Sequence, residues 1–201
     1  MSRRTAWSLS LCVALAACSG GGSGSATPTP TPSATPDIPG VVLTQGLAHT
    51  HVAHRVDYPT HPPVGGPHWP PSAFGALGWQ ACAVYTVPVV DEFAVHSLEH
   101  GAVWITYLPT VPDSVVAQLR LLAGIRPAYV LVSPYPGQGS PVMVTAWGAQ
   151  LGVTSATDDR LADFVRTYAG GGQGGELGGD CAHGSTVEQA EAALARAATG
   201  T

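Results

Sequence analysis

The sequence predicts an α+β fold: one mixed, mainly antiparallel sheet with two or three helices, preceded by a long ordered loop region rich in Pro, Gly and His. Three observations lead there. Short runs of β-branched and aromatic residues recur between residues 82 and 154, a composition that suits pleated strands. Segments with apolar residues at helical spacing fall between and after those runs without strict strand–helix alternation, as expected for α+β rather than parallel α/β chains. Residues 47–81 hold six prolines, which lack an amide donor and fix φ, so neither a long helix nor a central strand fits there.

In chain order, residues 47–81 are expected to be an ordered loop, because Tyr58, Trp69, Phe74 and Trp79 bring large apolar groups to it, with a short strand over 52–58. The stretches CAVYTVPVV (82–90) and AVWITYLP (102–109) read as strands, with DEFAVHSLEHG (91–101) as their connection. PDSVVAQLRLLAG (112–124) reads as a helix: Asp113 is its N-cap, Val115, Val116, Leu119 and Leu122 share one face, and Gly124 lies just past its end. AYVLVSPY (128–135) is a buried strand, and PVMVTAWGAQLGVT (141–154) is another, bent at Gly148. TDDRLADFVRTYAGG (157–171) is an amphipathic helix with Leu161, Phe164, Val165 and Tyr168 inward. A Gly-rich loop runs to Cys181, and STVEQAEAALARAA (185–198) is a last helix opened by a Ser185/Glu188 capping box. The strand and helix order also admits a split βαβ unit.

The first forty residues carry no fold signal of this kind. Arg3 and Arg4 precede an apolar stretch from Ala6 to Ala17, the pattern of an export signal and too short for the roughly 20 residues that span a bilayer. Its end, Leu15-Ala16-Ala17-Cys18, resembles the lipobox of bacterial lipoproteins. That resemblance implies a signal peptide over 1–17, cleavage before Cys18 and lipid on its thiol; an ordinary secreted protein is the alternative. Residues 18–40 then form a Gly/Ser and Thr/Pro tether expected to be disordered, and 41–201 a single globular domain. The expected location is the extracytoplasmic face of a bacterial cell membrane, with the membrane itself as partner through the anchor on Cys18.

Without the signal, six arginines and no lysine face thirteen acidic residues, a net charge of −7. Nucleic-acid binding, which rests on phosphate neutralisation, is excluded as a leading function, and no protein partner is indicated. Removing Cys12 with the signal and Cys18 with the lipid leaves Cys82 and Cys181. In an exported domain such a pair is expected to form a disulfide; thiolate ligation of a metal is the alternative.

Histidine is the compositional anomaly. Seven of the eight fall between His49 and His100. His96 and His100 stand four apart in HSLEHG, so one helical turn points both imidazoles to one side. "YPTHPPVGGPHW", "WQACAVY", "AVHSLEHGAVWITYLP", "YVLVSPYPG" and "VTAWG" together resemble the bacterial family called domain of unknown function 3105. The resemblance spans about residues 47–170 and implies an exported or tethered domain with no established activity. It picks out His51, His68, His96, Glu99 and His100, with Cys82, as positions matching the family pattern; His49, His54 and His61 read as additions of this chain, and Ala83 stands where glycine is expected.

The residue types then point to a divalent metal, copper or zinc, since imidazole is the commonest protein ligand for both. His68 is the expected third ligand beside His96 and His100, because the glycines before it allow a tight loop, and His51 is the fourth. Glu99 is either a ligand or the acceptor that fixes an imidazole tautomer. Met143 is the only methionine left after the signal, so thioether capture of Cu(I) is not expected. Three alternatives stand beside a binding or structural metal site. His96-Ser97-Leu98-Glu99-His100 matches the H-x-x-E-H order of inverted zinc proteases, so a metal-dependent hydrolase would use Glu99 to activate water. A metal-free cell-surface interaction module would instead pair Glu99 with an arginine such as Arg55 and spend the imidazoles on loop carbonyls. A Cys82 nucleophile paired with a histidine is the third.

Overall fold

A computed structural model describes residues 37–176 and 179–200. The signal segment, Cys18 and nearly all of the tether read from the sequence lie outside the described residues. The main sheet has five strands in the order β1-β7-β6-β4-β5, and β2 with β3 makes a separate two-stranded ribbon. Their bounds are β1 Val42–Leu43, β2 Ser72–Ala73, β3 Ala76–Leu77, β4 Val103–Tyr107, β5 Val130–Pro134, β6 Val142–Ala146 and β7 Ala149–Val153. The helices are α1 Asp91–Glu99, α2 Asp113–Ala123, α3 Asp159–Tyr168 and α4 Val187–Thr199. The fold is therefore α+β, with a mixed sheet as expected from sequence.

The parallel pair β4/β5 is joined through α2 as a βαβ unit, while β6 runs antiparallel to β4 and β7 antiparallel to β6. Every residue of β4 is buried, because both sheet faces are covered. On one face Val103, Ile105, Val130, Val132 and Val144 pack with Leu119, Leu161, Phe164 and Val165 of α2 and α3. On the other, Trp104 and Leu131 pack with Ala94, Val95 and Leu98 of α1. On that second face the Trp104 indole donates to Ser133 Oγ at 3.0 Å. A third cluster seats Ala190, Ala193 and Leu194 of α4 on Trp69 and Phe93.

Several elements differ from the sequence reading. Residues 91–101 are not a simple connection: nine of them form α1, of which eight are buried. A helix enclosed on all sides has no polar stripe, so periodicity does not announce it. CAVYTVPVV is not a strand; it meets the sheet only at Val84, bridged to Val132, with Tyr85 N–H donating to the Val132 carbonyl and Val132 N–H to Ala83. Pro88 and the tie at Cys82 hold the rest of it out of the ladder. Residues 52–58 likewise form no strand, and pairing there is limited to a bridge between His51 and His68. The 141–154 run is a hairpin, not a bent strand, with Ala146 opposite Ala149 across Trp147-Gly148.

Two caps also move. Pro112, not Asp113, is the N-cap of α2. The capping box of α4 is one residue later than read: Thr186 accepts from Gln189 N–H and the Gln189 side chain accepts from Thr186 N–H. Ser185 instead donates its hydroxyl to the Leu77 carbonyl. Thr186→Ala is therefore expected to lower stability by about 1 kcal/mol, checked by the urea midpoint at unchanged slope.

Candidate metal centre

The centre is built from three segments that sequence distance keeps apart. The first is the loop pair 49–52 and 65–69. Val52 N–H donates to the His68 carbonyl at 2.8 Å and His68 N–H to the Thr50 carbonyl at 2.9 Å, which sets His51 beside His68. Gly65 makes the approach possible: its φ is 137°, and a Cβ there would lie 2.9 Å from Leu47 and 3.1 Å from Trp147. The second segment is α1, whose i and i+3 positions place His96 and Glu99 on one face. The third is the Gly-rich loop 170–176. It closes so tightly that a Cβ on Gly174 would fall 2.1 Å from the Glu99 carbonyl oxygen.

Backbone carbonyls assign the ring protons. His68 Nδ1 lies 2.8 Å from the Gly66 carbonyl and His96 Nδ1 2.6 Å from the Trp69 carbonyl. A carbonyl only accepts, so each Nδ1 carries the hydrogen and each Nε2 faces inward. Both rings are fully buried. His96 Nε2 finds no hydrogen-bond partner among the described residues. Burial lowers the His96 pKa to about 3, with the neighbouring His68 and His100 adding to the effect. Its Nε2 therefore presents a lone pair, and leaving such an atom unpaired is costly.

Glu99 supplies the negative charge. Burial by itself opposes its ionisation, but the surrounding imidazoles, with His49 donating a hydrogen bond to it, hold its pKa at about 2. His49 Nδ1–H donates to Oε1 at 2.5 Å, and His68 Nε2 stands 2.8 Å from Oε2. These last two atoms touch without hydrogen-bond geometry. One ligand atom from each of His51, His68, His96 and Glu99 lies within 4.8 Å of the others. Trp147 stacks on His49 at 4.5 Å and meets the His68 ring edge-on at 5.8 Å. Aromatic walls of this kind limit water and strengthen charge interactions inside.

The expected triad of His68, His96 and His100 divides. His68 and His96 gather with His51 and Glu99, whereas His100, the C-cap of α1, turns toward Glu176 with 2.9 Å between Nε2 and Oε2. His96 also belongs to that second group. Arg55 does not pair with Glu99; it reaches Glu92 and Glu191, each at 3.5 Å. Ser97 donates to the Gln80 and Phe93 carbonyls, a structural use. Cys82 and Cys181 form a disulfide, which removes both the thiolate-ligand and the nucleophile readings. One contributor escapes the sequence reading: His49 reads as an addition of this chain, yet it orients Glu99 from 50 residues away. Glu176, in a glycine run, is legible from sequence only as a conceivable acidic ligand beside Glu188 and Glu191.

As ligands, three imidazoles and a carboxylate suit Zn(II) or Cu(II) equally. Both Glu99 oxygens face imidazoles, Oε1 that of His49 and Oε2 that of His68. No curated protein and no solved structure shows a significant match to the chain. A family model described as "Protein of unknown function (DUF3105)" matches residues 49–183, a span that contains every residue of this cluster. The chain belongs to the DUF3105 family.

Proposed function

We propose that this protein is a lipid-anchored extracytoplasmic domain that holds one divalent ion, copper or zinc, on His51, His68, His96 and Glu99, in a binding or structural role. The observation that carries the reading is the inward Nε2 of His96: a neutral, buried lone pair with no protein partner, beside an ionised carboxylate. A cation satisfies both at once, whereas a metal-free fold leaves His96 Nε2 and Glu99 Oε2 buried without a hydrogen-bond partner. Elemental analysis of the purified mature domain tests it, with copper or zinc expected near one equivalent per chain. A metal-free protein that also takes up neither ion at neutral pH sinks the reading.

Anchoring rests on the sequence of residues 1–18. No helix among the described residues is long and apolar enough to cross a membrane. Under this proposal Cys18→Ala moves the protein from the membrane fraction to the soluble one, because a single lipidated cysteine holds it there. Membrane retention of an unprocessed Cys18→Ala chain would mean that the apolar signal itself is the anchor.

A further inference from the structure

The second group of donors, His96, His100 and Glu176, has one ligand atom from each member within 4.8 Å of the others. His100 Nδ1 is buried without a hydrogen-bond partner among the described residues, and its Nε2 faces Glu176, whose side chain is 48% exposed. Two imidazoles and one half-exposed carboxylate make a weaker, more accessible set than the four-donor cluster. The two groups meet at His96. Its Nδ1 is engaged by the Trp69 carbonyl, which leaves Nε2 as the one nitrogen it has to offer, and an imidazole nitrogen binds one ion at a time.

We infer that the protein has a second, outer divalent-cation position on His96, His100 and Glu176, mutually exclusive with the inner one, so that His96 passes the ion between them. The inference rests on the metal-centre reading. Its chemical consequence is exchange: an ion moving from inner to outer position keeps one imidazole bond throughout, so it can be handed to an external ligand without full dissociation. Trp79 lies 4.8 Å from the His100 ring and 5.7 Å from His96, while Trp147 flanks His68. Each position therefore has its own indole reporter.

The test is Cu(II) titration of the whole mature domain, read by equilibrium dialysis, electron paramagnetic resonance and tryptophan fluorescence. Wild type is expected to bind one Cu(II). His68→Gln is expected to keep one equivalent at an affinity at least tenfold weaker and with an altered resonance spectrum. His68→Gln combined with Glu176→Gln is expected to bind none. His51→Ala, at an exposed position, repeats the first step where folding is not at stake. Two equivalents in wild type overturn the outer position as an exclusive one. Loss of all binding in both His68→Gln and His51→Ala, or a double variant that binds like the single, overturns the outer position itself. Wild type that binds no ion removes the metal-centre reading along with this one, and is thereby distinguished from either.

Discussion

Replacing His96 with alanine is expected to abolish the proposed metal centre: the variant should be purified without the copper or zinc proposed for the parent, and bind added ion at least a hundredfold more weakly. His96 is common to both donor groups, so no other single substitution removes as much. Its Nε2 is an imidazole donor already in coordinating form over a wide pH range, because burial lowers its pKa to about 3. Calorimetry at neutral pH measures the effect, with thermal unfolding of both proteins as the control for folding. A variant that folds and retains parental affinity contradicts the assignment. Acid gives the companion result. Imidazoles coordinate only when unprotonated, so affinity is expected to fall as pH drops through about 6.5. Glu99, held at about 2, and His96 stay in their coordinating forms well below that.

Breaking the disulfide is expected to have the largest effect on stability. Cys82 and Cys181 are 99 residues apart with their Cα atoms 5.0 Å from each other, and Cys181 is wholly buried. Closing a loop of about 100 residues restricts the unfolded chain by roughly 4–5 kcal/mol in the entropy model. The bond also anchors a local lattice: Cys82 N–H donates to the Cys181 carbonyl, Ala81 N–H to Ser185 and Ser185 N–H to Trp79. The Gly-rich segment that carries Glu176 returns to the core at this point. Cys82→Ser/Cys181→Ser, or the parent in reductant, is therefore expected to lose about 4 kcal/mol in urea unfolding, a large part of a typical domain's stability. Unchanged midpoints with and without reductant would falsify this role, and intact mass before and after alkylation verifies that the parent exposes no free thiol.

Local chemistry accounts for a large part of the fold. The β-branched runs at 103–107, 130–134 and 142–153 and the amphipathic face of α3 follow from side-chain period and composition, so the α+β class and most helices were legible. The cysteine pair was legible by elimination. Prolines ruled regular structure out of 47–81, and the glycines before His68 pointed to its tight loop.

Whatever depends on enclosure comes only with the packing of distant segments. α1 is a helix with buried Glu92, His96, Ser97 and Glu99, which no periodicity signals because other segments enclose its polar groups; Glu92, for instance, accepts from Val56 N–H at 2.7 Å. That packing also decides the partners. Only a bridge between two irregular loops brings His51 to His68, only the fold across α1 brings His49 to Glu99, and only closure of a glycine run brings Glu176 to His100. Sequence spacing identifies residues able to share an ion within one turn. Which of them share it depends on where carbonyls such as those of Gly66 and Trp69 hold the ring protons, and those carbonyls are placed by the packing of the whole chain.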